Sequence, residues 1–147
     1  MTPILLDANV LIALLWARHQ HHDAAQRWFA GTGRRAWATC AQTELAFVRI
    51  TSNPAFSPEA VRPAQAREVL EANLSHPGHR RFIDRWGVAT VLEPFARHLQ
   101  GHQQLADAYL LGLAQRHHGR LASFDEGLRS LSGDARLDRA LELVPTD

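Results

Sequence analysis

Residues 4–15 read ILLDANVLIALL. Ile4, Leu5 and Leu6 make an apolar run of strand length, and the apolar residues that follow Asn9 have the spacing of a helix over residues 9–16. Asp7 divides the two. A carboxylate is costly to bury between segments that both leave water, so the position needs a reason. Aspartate is a good helix N-cap, because its oxygen accepts from amides the first turn leaves unpaired. It is also a cation ligand, and a junction between a buried strand and a buried helix would hold such a ligand rigidly. What the rest of the chain brings beside Asp7 decides between these.

Outward from that junction, short apolar runs alternate with helical patterns. Residues 19–30 carry Ala24, Ala25, Trp28 and Phe29 at helical spacing, stopped by Gly31 and Gly33. Residues 36–39 (AWAT) suit a second strand, and TELAFVRITSN after them suits a helix that ends near Asn53-Pro54. The stretch 56–73 predicts a helix with two start signals, Ser57-Pro58-Glu59 and Pro63. A third strand is expected over residues 80–84 (RRFID), then helices over 90–99 and 103–117 parted by Gly101-His102. Residues 121–124 form a strand ending at Asp125, EGLRSL a small helix, and residues 141–144 a last strand. The pattern is that of an α/β sandwich around a mainly parallel sheet. Ligands of such sheets gather at the carboxyl ends of the strands, where the topology switches direction.

The 147 residues suit one domain over 1–147 with a real core, and 46% hydrophobic with 21% charged residues is a soluble globular composition. The longest apolar run, residues 10–17, is well below the ~20 needed to span a bilayer, and no basic segment precedes it, so neither a membrane span nor an export signal is expected. A single cysteine, Cys40, forms no internal disulfide and fits a reducing, cytoplasmic setting. The net charge of +1 does not by itself announce a nucleic-acid binder, but all sixteen basic residues are arginine. Arginine forks onto phosphates and carboxylates, although a GC-rich genome would raise its usage for other reasons.

Asp7 and Asp125 each follow an apolar strand directly, while Glu44 and Asp107 lie near the starts of helices that begin on the same side of the sheet. Taken singly, Asp7 reads as a cap, Glu44 and Asp107 as acids favoured at the positive end of a helix dipole, and Asp125 as a cap or turn residue. Caps have no reason to share one edge, whereas a cation site requires it. Four gathered carboxylates would repel one another unless a cation neutralised them. Oxygen-only ligation favours Mg²⁺ or Mn²⁺ over zinc, and such a centre can serve in-line attack of water on a phosphodiester.

LLDANVLI, TELAFVRI, LADAYLLGLA and LASFD, in that order and spacing, resemble the motifs of PIN-domain ribonucleases across residues 4–131, nearest to the VapC-type toxins of bacterial toxin-antitoxin pairs. The resemblance implies a five-stranded parallel sheet between helices, and an acidic Mg²⁺ or Mn²⁺ site made by Asp7, Glu44, Asp107 and Asp125. It adds Asn9 and Ser123 as residues that orient Asp7, Asp125 or a water, beside the alternative that both make only local backbone hydrogen bonds. It further implies an endoribonuclease that leaves a 5′-phosphate, inhibited by a cognate VapB-type antitoxin, and a homodimer. The segment RRFIDRWGV matches no motif and lends no site residue.

Histidines 19, 21 and 22, or 98 and 102, could suggest zinc, but no Cys-x-x-Cys set accompanies them and solvated or capping roles suit them better. His102 could reach an RNA phosphate, with an idle loop histidine as the simpler reading. Trp16, Trp28, Trp37 and Trp86 could stack bases, yet read as packing. Two other functions compete. A haloacid-dehalogenase-type phosphotransferase also follows its first strand with Asp, but needs a second carboxylate where Asn9 stands. A PIN scaffold that only binds partners would have no use for all four acids.

Overall fold

The computed structural model describes residues 2–131 and 135–147. Its first strand, β1 (Ile4–Leu6), is buried throughout, with Ile4 and Leu6 facing one core and Leu5 the other. A strand buried on both faces must lie inside a sheet covered by helices on each side. β1 is indeed the central strand of a five-stranded parallel sheet in the order β3-β2-β1-β4-β5, with β2 at Trp37–Thr39, β3 at His79–Arg81, β4 at Arg120–Ser123 and β5 at Leu141–Leu143. Leu5 pairs with Ala38 on one side and Leu121 on the other.

The same alternation sorts the helices. Ile4, Leu6, Trp37 and Ala122 meet α1 (Ala8–Leu15), α2 (His22–Gly31), α3 (Ala41–Thr51) and α4 (Pro63–Leu74) through Val10, Leu11, Ala25, Trp28, Phe47 and Leu70. Leu5, Ala38 and Leu121 meet α5 (Val88–Leu92) and α6 (Leu105–Arg116) through Val91, Leu110, Leu111, Leu113 and Ala114. α7 (Ala135–Arg139) adds Leu137 to this second core. α5 and α6 touch so closely at Gly112 that a Cβ there would stand 2.6 Å from the Val91 carbonyl oxygen. Gly112 therefore sets how near α6 comes to its neighbour.

Three expectations need correction. Residues 56–62 form turns, and α4 starts only at Pro63. Ser57 Oγ accepts from the Glu59 amide at 3.1 Å, a local turn, and Pro63 drives Arg62 to an extended ψ of 151°, which a continuous helix could not pass. The helix expected over 90–99 is α5 at Val88–Leu92 plus a 3₁₀ turn at Glu93–Phe95, because Pro94 has no amide to continue it. The third strand begins at His79, one residue before its expected start, and ends at Arg81. α7 was not anticipated.

Between β3 and β4 the chain crosses from one side of β1 to the other, so the topological switch lies between β1 and β4. Asp7 and Asp125 leave those two strands at their carboxyl ends. No helix among the described residues is long and apolar enough to cross a membrane.

Candidate active site

Asp7 is 8% exposed and does cap α1: its Oδ1 accepts from the Ala8 amide at 2.7 Å. Its other oxygen, Oδ2, accepts from the fully buried Ser123 Oγ at 2.7 Å. Asp7 thus caps the helix with one oxygen and meets the neighbouring strand with the other. Ser123 also accepts from Asn9 Nδ2 at 3.2 Å and from the Asp125 amide at 3.0 Å, so a single hydroxyl ties Asp7, Asn9 and the start of the Asp125 loop together. Asn9 Oδ1 accepts in turn from the Phe124 amide at 3.4 Å. Asp125 Oδ1 takes the Gly127 amide at 2.8 Å, which fixes an otherwise exposed carboxylate at the entrance.

Asp107 is the third residue of α6, half-buried and facing this group. Burial first, then the charges of Asp7 and Asp125, raise its pKa to about 6. Asp7 is raised as well, chiefly by burial, with Asp125 adding to it against the hydrogen bonds from Ser123 and Ala8. Three carboxylates therefore sense one another across the switch point. Among the described residues no three acidic, histidine or cysteine side chains stand close enough to share one cation as they are placed. The donor chemistry nevertheless fits a hard divalent ion: oxygen ligands only, mutually repelling, with one of them held rigid by a buried hydroxyl.

Glu44, on the first turns of α3, is held differently. Its Oε2 accepts from Thr39 Oγ1 at 2.7 Å and from Arg81 Nε at 3.0 Å, and its Oε1 from Arg81 Nη2 at 3.2 Å. Neither Thr39 nor Arg81 was singled out in the sequence. The Pro77-Gly78 turn just before β3 is the signal that would have set the strand's frame and put Arg81 at its carboxyl end, level with Thr39.

His19, His21 and His22 make local structural contacts. His22 Nδ1 lies 2.7 Å from the Ala13 carbonyl, His19 Nδ1 accepts from the His21 amide, and His21 packs on Phe124. Trp28 and Trp37 are core residues, and Trp16 packs edge-on against Phe56.

Residues 4–134 match the family described as PIN domain. The chain belongs to the PIN domain family. This PIN domain is 41% identical over 128 residues to Ribonuclease VapC38 of Mycobacterium tuberculosis, a match covering 87% of this chain and 89% of the relative. It therefore stands with the VapC ribonucleases inside the family. The fold is also that of two more distant structures. Mycobacterium tuberculosis VapC20, described as a sarcin-ricin loop cleaving toxin, superposes with a TM-score of 0.65 at 15% identity over 90% of this chain and 97% of that one. VapBC2 from Rickettsia felis, bound to a DNA fragment from its promoter, does so with a TM-score of 0.61 at 11% identity over 97% and 98%.

Proposed function

We propose that this PIN domain is a metal-dependent endoribonuclease toxin. The observation that carries the reading is the electrostatic coupling of Asp7, Asp107 and Asp125 across the switch point of the sheet, in a chain 41% identical to a VapC ribonuclease. Asp7, Asp107 and Asp125 would hold the cation, with Glu44 at the margin under Arg81. Mg²⁺ or Mn²⁺ bound there supplies charge neutralisation for in-line attack of water on an RNA phosphodiester. Ser123 keeps Asp7 in one orientation, and Asn9 keeps Ser123 there. Burial and mutual repulsion raise Asp107 in the metal-free chain, and the repulsion is what a bound cation would relieve. The water oxygen joins phosphorus as the bond to the 3′ oxygen breaks. One proton leaves the water and one reaches the 3′ oxygen, giving a 5′-phosphate and a 3′-hydroxyl.

The same reading includes a cognate VapB-type antitoxin, a homodimer and a cytoplasmic location. The likeness to VapBC2 supports the antitoxin, at the level of a shared fold. PIN family membership sets the haloacid-dehalogenase alternative aside. Purified protein free of antitoxin, incubated with RNA and Mn²⁺ or Mg²⁺, should cleave it, and EDTA should stop the reaction. Absence of cleavage by the wild-type protein, or equal cleavage by Asp7→Asn, overturns the assignment.

A further inference from the structure

A cluster of carboxylates repels the polyanion it is meant to cut. A bound cation offsets part of that charge, but it neither grips nor orients the RNA backbone on either side of the cut. Among the described residues, one basic side chain makes an ion pair with any of the four acids, and it is Arg81 on Glu44. The pair has an inside and an outside: the Glu44 side chain is 17% exposed and that of Arg81 54%. The carboxylate lies beneath and the guanidinium covers it.

Three fixtures hold this pair in place. Thr39 and Arg81 are cross-strand partners of β2 and β3, so the backbone of Arg81 is tied to the sheet beside the residue that bonds Glu44. Thr39 Oγ1 is fully buried and spends its one proton on Glu44, so the 2.7 Å contact from His79 Nε2 is donated by the imidazole. The order His79 to Thr39 to Glu44 pins the carboxylate from below. Arg81 then forks onto it through Nε and Nη2, which fixes the plane of the guanidinium. Nη1 makes no hydrogen bond among the described residues, on a side chain that is 54% exposed. A planar cation locked along one edge and open along the other matches the geometry of a phosphate oxygen pair.

We propose that Arg81 seats a backbone phosphate of the RNA beside the acid cluster, with Glu44 serving as the clamp that aims it. This rests on the ribonuclease reading. It gives Glu44 a task distinct from that of the three aspartates, which sense one another while Glu44 is already neutralised.

The test reads RNA binding without cleavage or cation. Wild-type protein in EDTA is titrated against a fluorescein-labelled single-stranded RNA by anisotropy, from 25 to 200 mM NaCl as an order-of-magnitude window for counterion release. Arg81→Gln should weaken binding about fivefold at the low-salt end, and should reduce the slope of log K against log salt by about 0.7, the loss of one phosphate contact on a single strand. Arg81→Lys keeps the charge but cannot fork, so it should restore the slope while leaving the affinity below wild type. An unchanged slope and affinity in Arg81→Gln, with the wild type still binding RNA, overturn this role and leave the ribonuclease reading standing. No RNA binding by the wild type in EDTA overturns this role alone, because the ribonuclease reading is decided by cleavage with Mn²⁺ or Mg²⁺. Should Arg81→Gln fail to fold, Arg81→Lys alone decides, because affinity equal to wild type would show that the fork is not used.

Discussion

Ser123 Oγ donates to Asp7 Oδ2 at 2.7 Å across the two central strands of the sheet, joining residues 116 positions apart in the chain. The hydroxyl is fully buried, so its loss leaves an acidic oxygen without that donor. Ser123→Ala should cost about 1–3 kcal/mol of stability, the range for a buried group left unpaired. It should also weaken Mn²⁺ binding about 10-fold or more, as removal of a residue that orients a metal ligand commonly does. Calorimetric titration with Mn²⁺ and a thermal melt check the two effects separately. Unchanged metal affinity in a folded Ser123→Ala protein would limit the serine to a structural role.

The repulsion among the three aspartates has a sign that can be read in stability. Asp107 titrates at about 6 in the folded chain against an ordinary 3.8, so between these values the metal-free folded state binds more protons than the unfolded one. Stability is therefore fully present below about pH 4 as far as this group is concerned, and is lost as pH rises through about 6. Asp7 is shifted in the same direction and adds to the loss. Asp107→Asn should abolish cleavage yet raise the stability of metal-free protein above pH 6 by about 1 kcal/mol, allowing for the screening of a half-exposed carboxylate. That corresponds to roughly 2–4 °C in Tm for a chain of this size. Added Mg²⁺ should stabilise the wild type and do little for the variant. A variant that melts lower than wild type at neutral pH would contradict the electrostatic account.

Thr39 supports Glu44 and His79 at once, and valine has nearly its shape without its hydroxyl. Thr39→Val should lower stability by about 1–2 kcal/mol, because a partly buried carboxylate and imidazole each lose a partner. Arg81 would keep its ion pair but lose the anchor beneath it. Thermal melts of Thr39→Val and Thr39→Ser give the comparison, with serine expected to retain most of the stability. Equal melting of the valine variant and wild type would show that the hydroxyl carries no weight.

Gly112 tests the placement of α6 without touching an acid. A methyl group there would press on the Val91 carbonyl oxygen at 2.6 Å and on Phe95, both in the core. Overpacking of this kind costs typically 1–3 kcal/mol, against which the better helix propensity of alanine returns roughly 1. Gly112→Ala should therefore be a net loss of about 1–2 kcal/mol, visible as a lower melting temperature, and should reduce cleavage by moving Asp107. A variant as stable as wild type would mean that α5 gives way freely.

Much of this could be read from residues alone, for identifiable reasons. Ile4 to Leu6 and Leu121 to Ala122 are buried on both faces, so their apolar runs are unbroken, and an acid at the end of each stands out. Asp107 was legible because α6 is apolar on its remaining faces. The turns at residues 56–62 were not, since Ser57-Pro58-Glu59 has the residues of a helix start and only the second proline, by forcing Arg62 out of the helical region, decides where the helix begins. β3 was misframed because its His-Arg-Arg carries no apolar pattern: it is an edge strand, and only Trp37, Ala38 and Thr39 beside it tell it where to lie. Arg81 was lost with that frame. Partnership with Glu44 is a property of the strand register, which local composition does not record.

The position of β1 in the middle of the sheet has a consequence for the newly made chain. Its neighbours are residues 37–38 on one side and 120–122 on the other, so half of its hydrogen-bonding edge waits until more than four-fifths of the 147 residues have been made. Asp7 is made more than a hundred residues before Ser123 and Asp125, which complete its surroundings. A cell translating this message carries no assembled acid cluster on any chain cut short before residue 125. The acid cluster is therefore completed only when both halves of the sheet have been made.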